Sequence, residues 1–330
     1  MKRIAIFSFA LTFALALGAV ELVWPTESKS FDSGEPAETF IQGTWGKPYT
    51  NGLFGDVRNS GYRFHEGIDI KATRRSKRGE PLDEIYAAMP GIVRMVNKVA
   101  GNSSYGRYVV VEHSDFDVAV YTLYAHLSEI ESGLSVGDKV EAGQKIGIMG
   151  RSASSYTITK DCAHLHFEVG LRYSDHFQNW YNSKRYKQKN MFGNFNGINL
   201  QGFDPLEFML LARRGAFKDG FAEYIKNMKT ALVVRIYTKK IPDFARLYPN
   251  LVDWQGQDCG WDIHLTWFGL PHKFERIKNP EPGAKDGTFH ILKYNPDELS
   301  RKCKKLFKKD KNGRIIKTSL LDELINKLFL

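Results

Sequence analysis

CAHLHFEVG, residues 162–170, sets two histidines two apart at the head of an apolar stretch. Residues two apart diverge by about 200° around a helix, yet they share one face of a strand. Read as a strand, the stretch sends Leu165, Phe167 and Val169 to a core. It sends His164, His166 and Glu168 to the opposite face. Two imidazoles on one such face need hydrogen-bond partners, a metal, or both. Cys162 has the same parity, and a buried or paired thiol is the simpler reading for it.

The sequence before this stretch reads as β structure from about residue 85. YAAMPGIVRMVNKV, RYVVVEH and VAVYTLYAHL are rich in Val, Ile and Tyr, with Gly, Asn, Asp or Ser between them. VGDKVEAGQKIGIMG, residues 136–150, alternates glycines with short apolar pairs, as tight turns between short strands do. After Gly170 the chain turns polar, aromatic and rich in Asn and Gly, and residues 171–201 read as a long loop. DPLEFMLLARR begins with an Asp cap and a Pro at the first helical position, so a short helix is expected from Pro205. Beyond about residue 217, TALVVRIYT and GWDIHLTWFG read as strands. PDELSRKCKKLFKK and SLLDELINKLFL read as helices, which makes an α+β accessory unit.

The chain has 330 residues and a formal net charge of +10. That charge favours an acidic partner: nucleic acid, anionic lipid or an anionic cell wall. The N-terminus chooses among them. Lys2 and Arg3 precede an apolar run from Ile4 to Leu17, followed by Gly18 and Ala19, which is a secretory signal pattern. A periplasmic or secreted protein is expected, with residues 1–19 removed and no stable membrane anchor left. The cysteines, Cys162, Cys259 and Cys303, include no Cys-x-x-Cys pair, so a thiolate zinc finger or thioredoxin-type site is excluded. Residues 301–317 hold nine Lys or Arg against the single Asp310, which reads as a solvated basic face.

RFHEGIDIKA supplies His65 and Asp69, four apart. Gly67 and the β-branched Ile68 and Ile70 disfavour a helix, so both side chains face one way from an extended segment. This also sets aside the helical His-Glu-x-x-His motif, whose second His is missing, and turns Glu66 away from His65. YTLYAHL supplies His126 at the end of another strand. Two imidazoles and a carboxylate form a common catalytic zinc site with one position left for water. His65, Asp69 and one of His164 and His166 can supply these ligands, and the remaining histidines can handle protons. His113, at a strand end, reads as structural.

Taken in order, His-x-x-x-Asp, Tyr-x-His-Leu and His-Leu-His-Phe-Glu resemble the lysostaphin-type (LytM-like) zinc endopeptidases, which cut peptide bridges in bacterial peptidoglycan. GLFGDVR, GIVRMV, YGRYVVVEH, VGDKVEAGQKIGIMG and DPLEFM carry the resemblance across residues 43–211. It implies a mainly β catalytic domain, a compact antiparallel sheet of the duplicated-hybrid-motif type, over residues 43–216. Residues 20–42 would lead into it, and residues 217–330 would follow as the smaller α+β unit. It further implies Zn2+ held by His65, Asp69 and His166. His164 would be the catalytic histidine acting on water, and His126 its partner at the oxyanion or in proton shuttling. Peptidoglycan peptide stems would be the substrate, cut in the manner of a DD-endopeptidase, with no nucleic-acid partner. ITKDCAHLH lacks the family's Gly-Pro-like lead, and the loops at residues 74–83 and 171–201 are longer than usual. Two rival classes remain. A non-catalytic wall-binding regulator of other hydrolases should lack ligands that are all present here. A biotinyl-type carrier needs no histidine set.

Overall fold

The computed structural model describes residues 21–44, 46–58, 63–154, 156–217, 220–299 and 306–329. The expected signal segment, residues 1–19, and Cys303 lie outside the described residues. Among the described residues, no helix is long and apolar enough to cross a membrane.

The main sheet has seven strands: β1 (Ile68–Lys71), β2 (Gly91–Asn97), β3 (Arg107–His113), β4 (Val120–Leu127), β5 (Lys139–Val140), β6 (His164–Arg172) and β7 (Leu200–Phe203). Its spatial order is β7-β6-β4-β3-β2-β5, and β1 pairs with β6. All the pairings are antiparallel, so this half of the chain is a mainly β, antiparallel structure. β6 is the organising strand. One of its edges runs along β4, and the other is shared by β1 near residues 164–167 and β7 near residues 169–172. Leu165, Phe167, Val169 and Leu171 are buried in the main core, while His164, His166 and Glu168 occupy the opposite face. That second face is also covered: Tyr108, Val110, Tyr121, Leu123, Ala125 and Leu200 form a second apolar cluster, against which Phe192 and Phe195 pack.

A three-stranded sheet of Glu84–Tyr86, Lys145–Ile148 and Glu129–Ile130 closes the other side of the core with Ile85 and Ile146. The turns within residues 136–150 use Gly137 at φ 99 and Gly143 at φ 76, conformations that favour glycine. His113 ties three segments together. Its Nδ1 is 2.7 Å from the Pro90 carbonyl, and its Nε2 is 2.7 Å from the Thr122 hydroxyl.

Two expectations are corrected. Residues 171–201 are not all loop, because helix α1 (Phe177–Ser183) buries Phe177 and Trp180. The polar residues between them hid that spacing of three. α2 (Pro205–Arg213) starts as expected, with the Asp204 carboxylate accepting from the Leu206 and Glu207 amides at 2.9 and 3.3 Å. The second correction concerns the helix expected after Pro296. Pro296–Leu299 is helical, residues 300–305 lie outside the described residues, and Phe307–Lys309 pairs as a strand with Ile315–Lys317 instead of continuing as helix. The turn between those strands wins: the Asp310 carboxylate accepts from the Asn312 and Arg314 amides, and Gly313 has φ 76.

Beyond residue 217, β8 (Leu232–Tyr237), β9 (Val252–Asp253), β10 (Gly260–Leu265), β11 (Pro271–Arg276) and β12 (Phe289–Tyr294) form a five-stranded sheet in the order β9-β11-β10-β8-β12. α3 (Ser319–Leu328) buries Leu321, Leu324, Ile325 and Leu328. The apolar core is continuous across the expected boundary at 216/217, joining Phe167 and Phe208 to Phe244, Trp261 and Phe274. Phe268 packs edge-on to Phe54 at 5.1 Å, and Trp267 packs edge-on to Phe64 at 5.7 Å, next to His65. The Asp243 carboxylate accepts from the Ser174 hydroxyl at 2.6 Å and the His176 amide at 3.1 Å.

Burial pushes the His113 imidazole down to about 4. The unfolded chain takes up this proton near pH ~6.5, whereas the folded chain refuses it until near its lowered value. Stability carried by neutral His113 is therefore present above pH ~6.5 and lost as pH falls towards 4. His113→Gln is expected to flatten the pH dependence of the unfolding free energy in that window by up to about 1.4 kcal/mol per pH unit, measured by urea denaturation.

Candidate metal centre

Strand register builds the site. β1 lies antiparallel to β6 with Asp69 directly opposite His166, and on the other edge of β6 Ala125 of β4 opposes the same histidine. His126 is thus one residue from that row. His65 reaches the row from the segment leading into β1, which passes tightly over β6 at Gly67. A Cβ there would lie 2.2 Å from the Phe167 carbonyl oxygen, so only glycine fits.

Three donor atoms converge. His65 Nε2 lies 2.9 Å from Asp69 Oδ1 and 3.1 Å from His166 Nδ1, and His166 Nδ1 lies 3.0 Å from Asp69 Oδ1. All three residues are buried, and among the described residues they form the group able to hold a metal ion. Donors bonded tetrahedrally to zinc at about 2.0–2.2 Å sit about 3.3 Å apart, so the spacing and the two-imidazole, one-carboxylate chemistry both fit. The outer nitrogens are also engaged. His65 Nδ1 donates to the Leu53 carbonyl at 2.8 Å, and His166 Nε2 donates to Glu168 Oε1 at 3.0 Å. Those bonds leave the lone pairs of His65 Nε2 and His166 Nδ1 directed at the common point.

Glu168 is fully buried and triply satisfied. Besides His166, its oxygens accept from the Tyr105 hydroxyl at 2.7 Å and the Tyr121 hydroxyl at 2.8 Å. Burial alone would raise its pKa, but the His166 contact and the two phenols hold it below the usual carboxylate range. Burial likewise opposes a charge on Asp69, yet His164, His65 and His166 hold its carboxyl well below the usual range. Burial also opposes a proton on His166, and hydrogen bonds to Asp69 and Glu168 override it, holding that imidazole up at about 10, so a metal bound there would take the place of the Nδ1 proton. The phenols of Tyr105 and Tyr121 are pushed up by burial and by the charge on Glu168.

His164 and His126 stand beside the donor group. His164 Nδ1 donates to the Cys162 carbonyl at 2.6 Å, and its Nε2 lies 3.5 Å from Asp69 Oδ1. His126 Nδ1 donates to the Ser152 carbonyl at 2.8 Å, its Nε2 is 3.4 Å from the Tyr156 hydroxyl, and its ring centre is 5.0 Å from that of His164. Burial lowers the pKa of both imidazoles, and for His126 the neighbouring His164 and His166 lower it further. His126 also adopts φ 61, a left-handed conformation uncommon for a histidine. It is held there by its own amide, bonded to the Tyr105 carbonyl at 2.9 Å, and by the Ser152 contact.

The five residues singled out in the sequence, His65, Asp69, His126, His164 and His166, therefore lie in one cluster. Cys162 contributes its carbonyl to His164 while its thiol is buried. Among the described residues, Cys162 and Cys259 are free thiols. The cluster opens into a cleft of about 1420 Å³, whose lining includes Tyr105, Tyr156 and Glu66 as well as residues of α3. The parity of β6 placed Glu168 on the histidine face, but its phenol partners come from positions 105 and 121, which no local pattern links to it. Tyr156 likewise carries no signal in the sequence.

Residues 63–179 match the model described as peptidase family M23. Among solved structures, the chain is similar to a candidate glycyl-glycine endopeptidase LytM from Ruminococcus gnavus, with 26% identity over 33% of this chain and 40% of that one and a TM-score of 0.27. It is similar to the catalytic domain of the prophage-encoded M23 protein EnpA from Enterococcus faecalis, with 25% identity over 39% of this chain and 79% of that one and a TM-score of 0.28. A zinc-containing peptidase from Vibrio cholerae shows 28% identity over 40% of this chain and 34% of that one, with a TM-score of 0.27. The matches thus span well under half of the Ruminococcus and Vibrio chains. No curated protein matches.

Glu168 orients His166 without touching the donor point. Glu168→Gln removes the charge and puts an amide where three donors converge. It is expected to weaken divalent-metal affinity by about 10- to 100-fold, measured by competition against a chromophoric chelator.

Proposed function

We propose that this chain, whose residues 63–179 form a peptidase family M23 domain, is a zinc-dependent endopeptidase that hydrolyses peptide cross-links of bacterial peptidoglycan in the periplasm or outside the cell. The observation that carries the reading is the convergence of three buried donors at 2.9–3.1 Å beside two further imidazoles in one open cleft. His65, Asp69 and His166 would hold the zinc. When bound, zinc supplies Lewis acidity, which lets water attack an amide at neutral pH.

The chain's own groups then divide the proton work. His164 has its Nδ1 proton committed to the Cys162 carbonyl, so Nε2 carries the lone pair and can accept the proton of the attacking water. His126 is locked in the same sense by the Ser152 carbonyl, so its Nε2 also faces the reaction as an acceptor. Both are kept neutral by burial, which suits groups that take a proton during attack and return it to the departing amine nitrogen. Protonated at Nε2, His126 can also donate to the oxyanion of the tetrahedral intermediate. The net charge of +10 suits an anionic wall polymer. A D-Ala to diaminopimelate cross-link is the bond we assign if the wall is of the Gram-negative type.

The reading is tested by digesting defined cross-linked muropeptides and identifying the products by mass. Wild-type protein should cut them, carry about one zinc per chain and stop cutting when a chelator is added. His166→Ala and Asp69→Ala should lose zinc and cleavage together. His164→Ala and His126→Ala should keep most of their zinc and lose about 10²- to 10⁴-fold in rate. A His164→Ala protein cutting at the wild-type rate would sink the mechanism.

Acid should act through the metal. The imidazoles of His65 and His166 bind zinc only when deprotonated, so zinc content and cleavage should fall together as pH drops below neutrality. Zinc content and rate measured on the same samples check this. A rate that is flat from mildly acidic to mildly alkaline pH, with zinc still bound, would contradict it.

A further inference from the structure

We propose that the C-terminal helix α3 is part of the substrate-binding cleft, and that Leu320, with Met191 and Ile198, forms an apolar subsite gripping an aliphatic segment of an extended peptide. The inference rests on the peptidase reading of the same cleft. α3 is amphipathic, and Leu321, Leu324, Ile325 and Leu328 face the core. Leu320 departs from that pattern: it is apolar, 47% exposed, and lines the cleft that holds His126, His164 and His166. Met191 and Ile198, 56% and 44% exposed, line the same cleft from the segment that follows α1. A single exposed leucine needs no explanation, but three large exposed apolar side chains lining one cleft point to a binding surface.

The wall is held in place. The ammonium of Lys184, next to the end of α1, lies 2.9 Å from a Glu323 carboxylate oxygen. Lys327 donates to the Ile198 carbonyl at 2.8 Å and stands 4.3 Å from the centre of the Tyr173 ring. The chain's last helix and the segment around Ile198 are therefore fastened together, which presents the apolar side chains as a fixed surface. The volume argues for the occupant. About 1420 Å³ exceeds the roughly 300–1,000 Å³ typical of compact ligands, and the cleft is continuous with the catalytic cluster. A strand of peptide running from the scissile bond towards α3 fits both facts. The polar lining near the donors would take its backbone, and the Leu320 side its aliphatic groups.

The test measures equilibrium binding of a purified cross-linked muropeptide to the full chain carrying His164→Ala, so that binding is read without turnover. Adding Leu320→Glu should weaken binding about tenfold, as loss of one buried aliphatic contact does. Leu320→Met should restore it. Leu210→Glu, on an exposed position of α2 outside the cleft lining, should leave it unchanged. If a folded, zinc-loaded Leu320→Glu chain binds as tightly as its parent while wild-type protein cuts the muropeptide, the subsite is wrong and the peptidase reading stands. If the zinc-loaded wild-type chain neither binds nor cuts the muropeptide, both fall.

Discussion

The pairing of Asp69 with His166 across β1 and β6 is the constraint on which the molecule's chemistry depends. Side chains alternate along a strand, so a slip of one residue would put Ile68 or Ile70 on the polar face and drive the carboxylate into the apolar core. The apolar alternation on β6 forbids that slip, because Leu165, Phe167 and Val169 have the other face to fill. Packing therefore fixes the register, and the register brings together donors about a hundred residues apart in sequence. Gly67 completes the arrangement by letting the His65 segment pass within contact of the β6 backbone.

Electrostatics follow from the same geometry. His166 is flanked by two buried carboxylates, Asp69 and Glu168, one on each ring nitrogen. Two buried negative charges need compensation in a medium of low polarity. The imidazoles and the two phenols act in that sense, and a bound dication would add to it. His126 and His164 stand slightly off this axis, where burial wins and keeps them neutral. One compact cluster thus separates a histidine held charged between two carboxylates from two histidines kept neutral by burial.

How much of this is legible in the sequence depends on the range of the interaction. The strands are legible because alternation is local, and the two histidines on one face of β6 follow from parity alone. α2 is legible from Asp204 and Pro205. α1 is not, since its two buried aromatics sit among Asn, Gln and Ser, which are as common in loops. The first strand of the hairpin, Phe307–Lys309, is misread as the end of a helix because its lysines fit either state, and the turn from Asp310 to Gly313 decides between them. The buried partners of Glu168 come from two other segments, and no local pattern marks them. The amphipathic pattern of α3 announces a buried face without saying what lies against it, so its place beside the cleft emerges only from the fold.

The left-handed backbone at His126 has a consequence for how this protein can change over generations. At φ 61 a histidine bears a steric cost that glycine would not, and the backbone bond to the Tyr105 carbonyl and the imidazole contact to the Ser152 carbonyl hold it there. Drift to glycine at that position would ease the backbone while removing one imidazole from the cluster. Under the proposed peptidase reading, a lineage released from selection for cleavage would gain robustness by losing this residue. Position 126 would then separate, by backbone geometry, descendants that keep the histidine set from those that keep only the fold.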